Sequence, residues 1–371
     1  MKRCSSTHYV WLPIHVDGKL KTLRKCSANN LTTSFSFLSR KSKSTMLTFD
    51  EALATLPAGT LPTVLLGNGF SQAWNAAIFN YASLFQVANF GDRDAQIRKL
   101  FERLNTWDFE SVMRTLLSAE LVAEVYGLDQ GVIDTIKRDQ AILKEALLTA
   151  VSENHPSLPN ELSTAQYEAV RKFLSRFSQI FTVNYDLLMY WARNQDLEPA
   201  WVTDDGFRAA QLWKGYGTDQ AVHFLHGGLH LYEVPMGVRK HAYTGEVGGG
   251  IVGQVRDNLN LQPPRFPLFV AEPTHEKKKE RIDRSPYLSY CLRELTTIST
   301  PIFILGHSMD QNDSHIFEAI RASAVRQIFV SVFGDEHNDA NRRLIANARA
   351  HLGGTLTNID FFDASTVAVW G

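Results

Sequence analysis

The sequence predicts an α/β fold: a Rossmann-like, mainly parallel sheet with helices on both faces and a helical insertion after the first strand. Short apolar, β-branched runs recur along the chain and alternate with segments of helical length. This alternation is typical of parallel sheets covered by helices. The block of residues from about 80 to 177, between the first two runs, is too long for a single crossover and therefore predicts a helical insertion.

Strands and helices are assigned in chain order from these patterns. Seven runs are predicted as strands: Thr63–Leu66, Gln179–Val183, Ala200–Val202, Val222–Leu225, Leu268–Val270, Ile302–Leu305 and Ile328–Phe333. Helices are predicted where apolar residues recur at helical spacing: Trp74–Phe79, Asp108–Tyr126, Val132–Val151, Thr164–Phe177, Asp186–Arg193, Tyr287–Thr297, Asp313–Ala324 and Asn338–His351. Residues 234–264, rich in Gly and Pro, are predicted to form a mobile loop.

Charge and composition separate the first 45 residues from the rest. They hold nine Lys or Arg, one acidic residue (Asp17) and thirteen Ser or Thr, although the whole chain has a net charge of −1. Such a segment buries too little apolar surface to fold, so residues 1–45 are predicted to be a disordered basic extension and residues 46–371 an α/β domain. We expect Met46 to be the true start, and a transit-like presequence is the alternative.

Several functional classes are excluded by composition. No apolar run approaches the ~18 residues that span a bilayer, so no membrane partner is expected. The near-neutral net charge gives no reason to expect a nucleic-acid partner. Residues 46–371 contain a single cysteine, Cys291, which excludes a disulfide framework and a multi-cysteine zinc site. A cytoplasmic location is expected. Lys277–Lys279 is interpreted as a solvated helix face, and His223 and His226 face opposite sides of a strand, which disfavours a shared metal.

A glycine turn directly after the first predicted strand is a candidate phosphate-binding loop. Its sequence is Gly67-Asn68-Gly69-Phe70-Ser71. The two glycines allow a sharp turn and a close approach to a ligand, and the following helix N-terminus favours negative charge. Ser71 can cap this helix or bond a phosphate oxygen. The G-x-G-x-x-G fingerprint is incomplete, so the turn alone does not identify a dinucleotide site.

Polar or glycine residues also follow four later predicted strands. These segments are Asn184-Tyr185-Asp186, His226-Gly227-Gly228, Gly306-His307-Ser308 and Gly334-Asp335-Glu336. In an open parallel sheet, ligands bind beyond the carboxyl ends of the strands. We therefore expect these segments and the glycine turn to share one rim of the sheet and to bind a polar ligand there.

The segments resemble sirtuin motifs and occur in sirtuin order. Thr182-Val183-Asn184-Tyr185-Asp186 resembles the T-x-N-x-D motif, and the glycine turn is similar to the G-A-G-x-S loop. His226-Gly227 resembles the catalytic His-Gly pair, and Gly306-His307-Ser308 the later G-x-S. The resemblance covers roughly residues 60–340. The chain is similar to the divergent bacterial sirtuin-like proteins, several of which are NAD-cleaving effectors in anti-phage defence.

The resemblance implies that NAD is the substrate. Asn184 would orient a water, a neutral His226 would act as general base or bind ribose hydroxyls, and Asp186 would bond the nicotinamide carboxamide or its ribose. Loss of nicotinamide develops oxocarbenium character at the ribose. The residues implied to bind NAD are Gly67, Asn68, Gly69, Phe70, Ser71, Thr182, Gly306, Ser308 and Asp335.

Two departures from the sirtuin pattern bear on the reaction. Sirtuin deacetylases carry a four-cysteine zinc ribbon, which residues 46–371 lack, and Gln72–Asn75 stands where they have P-D-F-R. Both departures favour NAD hydrolysis, releasing nicotinamide and ADP-ribose without a metal, over protein deacetylation. Control by homo-oligomerisation, by the Gly-rich loop or by a separate regulatory partner is left open.

Two other function classes compete with this interpretation. An α/β-type serine hydrolase would use Ser308 in an elbow, His226-Gly227-Gly228 as an oxyanion motif, and Asp335 and His351 as triad partners. Asp310 stands at the last elbow glycine, which counts against that assignment. The other class is a non-catalytic sensor that binds NAD or ADP-ribose.

Overall fold

The computed structural model describes residues 14–16, 19–21, 46–197, 201–242, 250–354 and 357–371. The chain divides into two compact units, Met1–Lys43 and Ser44–Gly371. In the first unit, β1 (Ile14–Val16) and β2 (Lys19–Lys21) form an antiparallel hairpin. These two strands were not expected in the basic extension; its other residues up to 45 lie outside the described part of the chain.

The second unit alternates strands and helices along most of its length. Its elements are α1 (Phe49–Ala54), β3 (Thr63–Leu66), α2 (Gly69–Asn75), α3 (Tyr81–Val87), α4 (Asp94–Leu104), α5 (Phe109–Val125), α6 (Gln130–Asn154), α7 (Thr164–Leu174), β4 (Gln179–Thr182), α8 (Leu188–Arg193), β5 (Val222–Phe224), β6 (Gly227–Gly228), β7 (Leu231–Val234), β8 (Gly237–Lys240), α9 (Ile251–Leu259), β9 (Leu268–Phe269), α10 (His275–Asp283), α11 (Pro286–Thr297), β10 (Ile302–Leu305), α12 (Ser314–Ala322), β11 (Gln327–Val332), α13 (Asp339–Leu352) and β12 (Asn358–Asp363).

Six of these strands form one parallel sheet, which confirms the predicted α/β fold. Their spatial order is β5-β4-β3-β10-β11-β12, and each neighbouring pair is parallel. Counted along the chain this order is 3-2-1-4-5-6, the doubly wound order of dinucleotide-binding folds. The strand order reverses between β3 and β10, and this switch point is where ligands bind in such sheets.

The central strands are apolar because helices cover the sheet on both faces. All four residues of β3 and all four of β10 are buried, as expected for strands without a solvent face. Phe49 of α1 packs its ring against Phe173 of α7, Phe303 of β10 and Phe362 of β12. These contacts tie the first helix of the unit to α7 and to the half of the sheet that contains β10 and β12.

The helical insertion has a hydrophobic cluster of its own. Phe90, Phe101, Phe109 and Leu147 are buried in it, together with neighbours on α4, α5 and α6. In contrast, α7 contributes Tyr167, Val170, Phe173 and Leu174 to the main core beneath the sheet. The insertion therefore ends before α7, earlier than the sequence pattern suggested.

Several predicted boundaries are wrong. Residues 201 and 202 form no strand, and residue 200 lies outside the described part of the chain. The helix expected over Trp74–Phe79 begins at Gly69 and ends at Asn75. The segment 234–264 was expected to be a mobile loop, but its described part contains the β7–β8 hairpin turn and α9; residues 243–249 lie outside the described part of the chain. The edge strand β12 was not predicted at all.

Several Gly and Pro residues of this segment lie at the ends of its elements, although Gly253 lies within α9, so their number was misleading. Gly245, Gly248 and Gly249 lie outside the described residues. Gly237 opens β8 with φ +133, Gly250 is the N-cap of α9, and Pro263 and Pro264 follow that helix. Among the residues that the structure describes, no helix is both long enough and apolar enough to cross a membrane.

Candidate functional site

A cavity of about 600 Å³ lies at the switch point of the sheet. This volume is within the usual range for small-molecule and cofactor sites. It extends from the start of α5 and the end of β4, past the ends of β3 and β10, to the residues after β11. Seven of the residues predicted from sequence line it: Asn68, Gly69, Asn184, Asp186, His226, Gly306 and Ser308.

The glycine turn after β3 lies directly against the turn after β10. A Cβ at Gly69 would stand 2.5 Å from Cα of Gly306, and one at Gly67 would stand 2.6 Å from the Gly306 carbonyl oxygen. Gly306 itself has φ +68. All three positions therefore require glycine because two backbones meet at the switch point, and not only because a ligand approaches.

The peptide N–H groups of this turn are largely used inside the protein. Gly67 N donates to Leu305 O at 2.8 Å, and Gly69 N donates to Gly306 O at 2.9 Å. Within the described structure, Asn68 N is the group of this turn that has no backbone acceptor. The expected phosphate cradle is thereby reduced from several N–H groups to one.

A buried hydrogen-bond chain joins the turn after β3 to the end of β4. Asn184 Nδ2 donates to Gly67 O and to Ser71 Oγ, both at 3.0 Å. Ser71 Oγ in turn donates to Asp186 Oδ2 at 2.5 Å. Asp186 Oδ1 accepts from the N–H of Leu188, the first residue of α8, at 2.9 Å. We call Ser71, Asn184 and Asp186 the amide network.

The amide network fixes the orientation of Asn184. A carbonyl oxygen can only accept, so the amide atom that faces Gly67 O is nitrogen. Oδ1 is consequently the atom left over; it is buried and has no hydrogen-bond partner in the described structure. Burial raises the pKa of Asp186, and the hydrogen bond from Ser71 opposes this rise. Asn184, which lines the cavity, thus holds a fixed and unpartnered acceptor atom.

His226 follows β5 and lies against a second histidine. Its Nε2 is 3.0 Å from Nε2 of His315 on α12, and 3.8 Å from Oδ1 of Asp313. Burial lowers the pKa of His226 well below its usual range, and lowers that of His315 to about 4. Both rings are therefore neutral at pH 7. In the tautomer in which Nε2 of His226 donates to His315, Nδ1 of His226 is the basic nitrogen.

An ionic cluster that sequence reasoning missed completes this end of the cavity. Lys278 Nζ contacts Glu110 Oε1 at 3.0 Å and Asp313 Oδ1 at 2.9 Å, and its residue is only 1% exposed. His307 Nε2 lies 3.3 Å from Asp313 Oδ2. We call Glu110, Lys278 and Asp313 the ionic cluster.

Lys278 corrects the interpretation of Lys277–Lys279 as a solvated helix face. Lys277 and Lys279 are exposed, but Lys278 is buried. The sequence did contain a sign that Lys278 is buried. Lys278 lies four residues before the apolar Ile282, and residues four apart lie on the same face of a helix. No comparable pattern marks Glu110 or Asp313, because each stands beside a helix start, where acids are common as caps.

Three side chains offer atoms at metal-ligand spacing. One ligand atom from each of His226, Asp313 and His315 lies within 4.8 Å of the others. Such a set suits zinc by donor type. Lys278 Nζ, however, already lies 2.9 Å from Asp313 Oδ1, so a bound cation would be repelled by this ammonium. We assign no metal to these residues.

Five of the predicted NAD-binding residues do not line the cavity. Phe70 packs on Trp370 in the core, with ring centroids 5.1 Å apart. Thr182 is buried and its Oγ1 accepts from Asn184 N at 3.1 Å. Gly67 and Ser71 act behind the cavity wall through the contacts described above. Asp335 is exposed and its side chain caps the turn at His337 N.

Residues 64–370 match the model of a family described as a domain of unknown function, DUF4917. The chain belongs to this family. The match runs from β3 to the last residues after β12, so it includes the switch point, the amide network and the ionic cluster. No curated protein matches the sequence. The resemblance to sirtuins stays a prediction.

Proposed function

We propose that the protein is an NAD glycohydrolase, which releases nicotinamide and ADP-ribose at the switch-point cavity. The observation that carries the proposal is the unpartnered Oδ1 of Asn184, a residue that lines the same cavity as a neutral His226. The doubly wound strand order and the cavity volume support a dinucleotide as the ligand.

The proposed reaction needs one water and one base. Oδ1 of Asn184 accepts a hydrogen bond from the water and holds it beneath C1′ of the nicotinamide ribose. The water oxygen bonds to C1′ as the C1′–N bond breaks, and the electron pair of that bond stays on the nicotinamide nitrogen. The proton of the water passes to Nδ1 of His226. The leaving group departs neutral, so no general acid is required.

Asp186 and Ser71 act as positioning residues in this scheme. Asp186 holds the Ser71 hydroxyl, and that hydroxyl accepts one of the two Asn184 Nδ2 hydrogen bonds. Asn184 then needs no reorganisation when the water binds. Such preorganised polar groups are a large part of enzymatic rate enhancement. The Asn68 N–H and the rim at Gly306 and Ser308 are the proposed contacts of the pyrophosphate.

The proposal is tested by incubating the purified protein with NAD and quantifying nicotinamide and ADP-ribose by chromatography. We expect the two products in equal amounts, and their formation to be lost in His226→Ala. The matched control is His337→Ala, because the side chain of His337 is 75% exposed and lies on a different turn. Equal product formation by the wild type and His226→Ala would refute the assigned role of His226.

The same preparation separates the alternatives. Binding of NAD without any product would support the sensor. Labelling of Ser308 by a fluorophosphonate probe would support the serine hydrolase; Ser308 is exposed, and no hydrogen bond joins it to a histidine in the described structure. The expected cytoplasmic location, anti-phage role and regulatory partner stay predictions.

A further inference from the structure

The ionic cluster is assembled from three separate parts of the chain. Glu110 stands in the first turn of α5 within the helical insertion, Lys278 lies on α10, and Asp313 lies in the turn before α12. All three line the cavity beside His226. The insertion therefore contributes directly to the ligand site, although its own core is distinct from that of the sheet.

The groups around the cluster favour the ionised form of both acids. Burial raises the pKa of Glu110, and the Lys278 ammonium opposes that rise. The Glu110 carboxylate accepts from Lys278 Nζ at 3.0 and 3.1 Å, and from Asn312 Nδ2 at 3.1 Å. Each of these partners is a donor, so neither oxygen of Glu110 has an acceptor for a proton of its own. Burial raises the pKa of Asp313, but the Lys278 ammonium and His307 outweigh it and hold the pKa well below its usual range.

With both acids ionised, the three side chains of the cluster carry a net charge of −1, from two carboxylates and one ammonium. The neighbouring rings of His226 and His315 are neutral and add no positive charge. The opposite end of the cavity has no charged lining residue in the described structure; it is formed by Ser331, Phe333, Asn341, Leu344 and Val367. The cavity is thus electrostatically asymmetric along its length.

We propose that the ionic cluster is the specificity determinant that selects the positively charged, oxidised nicotinamide ring and sets the direction in which the dinucleotide lies. The inference rests on the proposed NAD function. The pyridinium ring and its ribose lie at the cluster, and the adenosine lies at the uncharged end near Phe333. Two opposite charges attract strongly where the surroundings exclude water, and a reduced, neutral ring gains nothing from the cluster.

Charge at this position also favours the reaction. As the C1′–N bond breaks, positive charge moves from the pyridinium ring to the ribose. The cluster remains within reach of that charge throughout, so it stabilises the oxocarbenium-like state as well as the bound substrate. Lys278 keeps the two carboxylates ionised at this distance from each other, since without it their mutual repulsion would favour protonation of one.

The test uses carba-NAD, in which a carbocycle replaces the nicotinamide ribose and prevents cleavage. Dissociation constants for its oxidised and reduced forms, and for ADP-ribose, are measured by isothermal titration calorimetry at low salt. We expect the wild type to bind the oxidised form at least about tenfold more tightly than the reduced form, a modest effect for one pair of charges near a surface.

The variant Glu110→Gln should lose most of that preference and leave the affinity for ADP-ribose unchanged, because ADP-ribose has no nicotinamide. The control variant is Glu102→Gln, which changes an exposed acid on α4 and should keep the wild-type preference. If the wild type binds oxidised and reduced carba-NAD with equal affinity, the inference is overturned, while the proposed binding of NAD stands. This outcome is read from the wild type alone. Binding of none of the three ligands overturns the inference together with the proposed function.

Discussion

The two polar groups in the cavity differ in how they are held. The amide network consists of directional hydrogen bonds between residues that follow β3 and β4, with one carboxylate at its end. The ionic cluster consists of contacts between full charges on segments that precede or form helices. A hydrogen bond restricts the direction in which the donor or acceptor atom points. A net charge instead creates an electrostatic potential that changes gradually with distance.

Under the proposed function, this difference gives the two groups separate tasks. The amide network leaves one acceptor, Asn184 Oδ1, pointing in a defined direction, as a water-positioning residue requires. The ionic cluster leaves a net charge without a defined direction, as recognition of a delocalised cation requires. Damage to the network should therefore reduce turnover, whereas damage to the cluster should change stability and ligand preference.

The largest effect is expected where the ionic cluster loses its cation. Lys278→Met leaves Glu110 and Asp313 buried without a counter-charge, which should lower the free energy of unfolding by about 3–5 kcal/mol. The matched control is Lys277→Met, one residue away and exposed, with an expected change within about 0.5 kcal/mol. Urea denaturation measures both. Equal losses in the two variants would show that the ionic cluster does not hold the fold.

A smaller effect is expected when the amide network is broken. Ser71→Ala leaves Asp186 Oδ2 and one Asn184 Nδ2 hydrogen without a partner, at a cost of about 1–3 kcal/mol in unfolding free energy. Turnover should fall with little change in KM, because Asn184 loses its fixed orientation. Ser308→Ala is the stability control, since that side chain is exposed. If Ser71→Ala had the same kcat as the wild type, the amide network would not contribute to catalysis.

The smallest effect at pH 7 concerns the histidine pair between the two groups, because it develops only as the pH falls. The pKa of His315 is about 4 when folded and about 6.5 when unfolded. The unfolded chain therefore binds a proton that the folded chain does not, and stability is lost as the pH falls from 6.5 towards 4. The expected slope is about 1.4 kcal/mol per pH unit for this one group. Unfolding free energies from pH 7.5 to 5 should show a shallower slope in His315→Asn than in the wild type, and an unchanged one in His337→Asn.

The amide network could be predicted from sequence because its members follow strands. Ligands bind beyond the carboxyl ends of parallel strands, so Asn184, Asp186 and His226 were identified once their strands were recognised. Their roles were less predictable. Ser71 was expected to face a phosphate, but the helix that starts at Gly69 turns its hydroxyl towards Asp186.

The ionic cluster could not be predicted, because its residues are far apart in the chain and each has an ordinary local explanation. Glu110 is an acid in the first turn of a helix, Lys278 is one of three consecutive lysines, and Asp313 precedes α12. Only the packing of the helical insertion against α10 brings Glu110 to Lys278. The edge strand β12 was missed for a related reason: its acidic and amide residues, as at Asp360, do not form an apolar run.

The central claim is tested most directly by the rate of nicotinamide release at saturating NAD, in the wild type and in Asn184→Ala. Both proteins are compared at equal concentrations of folded protein. Their affinity for ADP-ribose is measured as well, to show that the cavity of the variant still binds a ligand. We expect turnover by the wild type and a rate at least about 100-fold lower in the variant, with ADP-ribose still bound. Equal rates in the two proteins, or no nicotinamide from a folded wild type that binds NAD, would contradict the account.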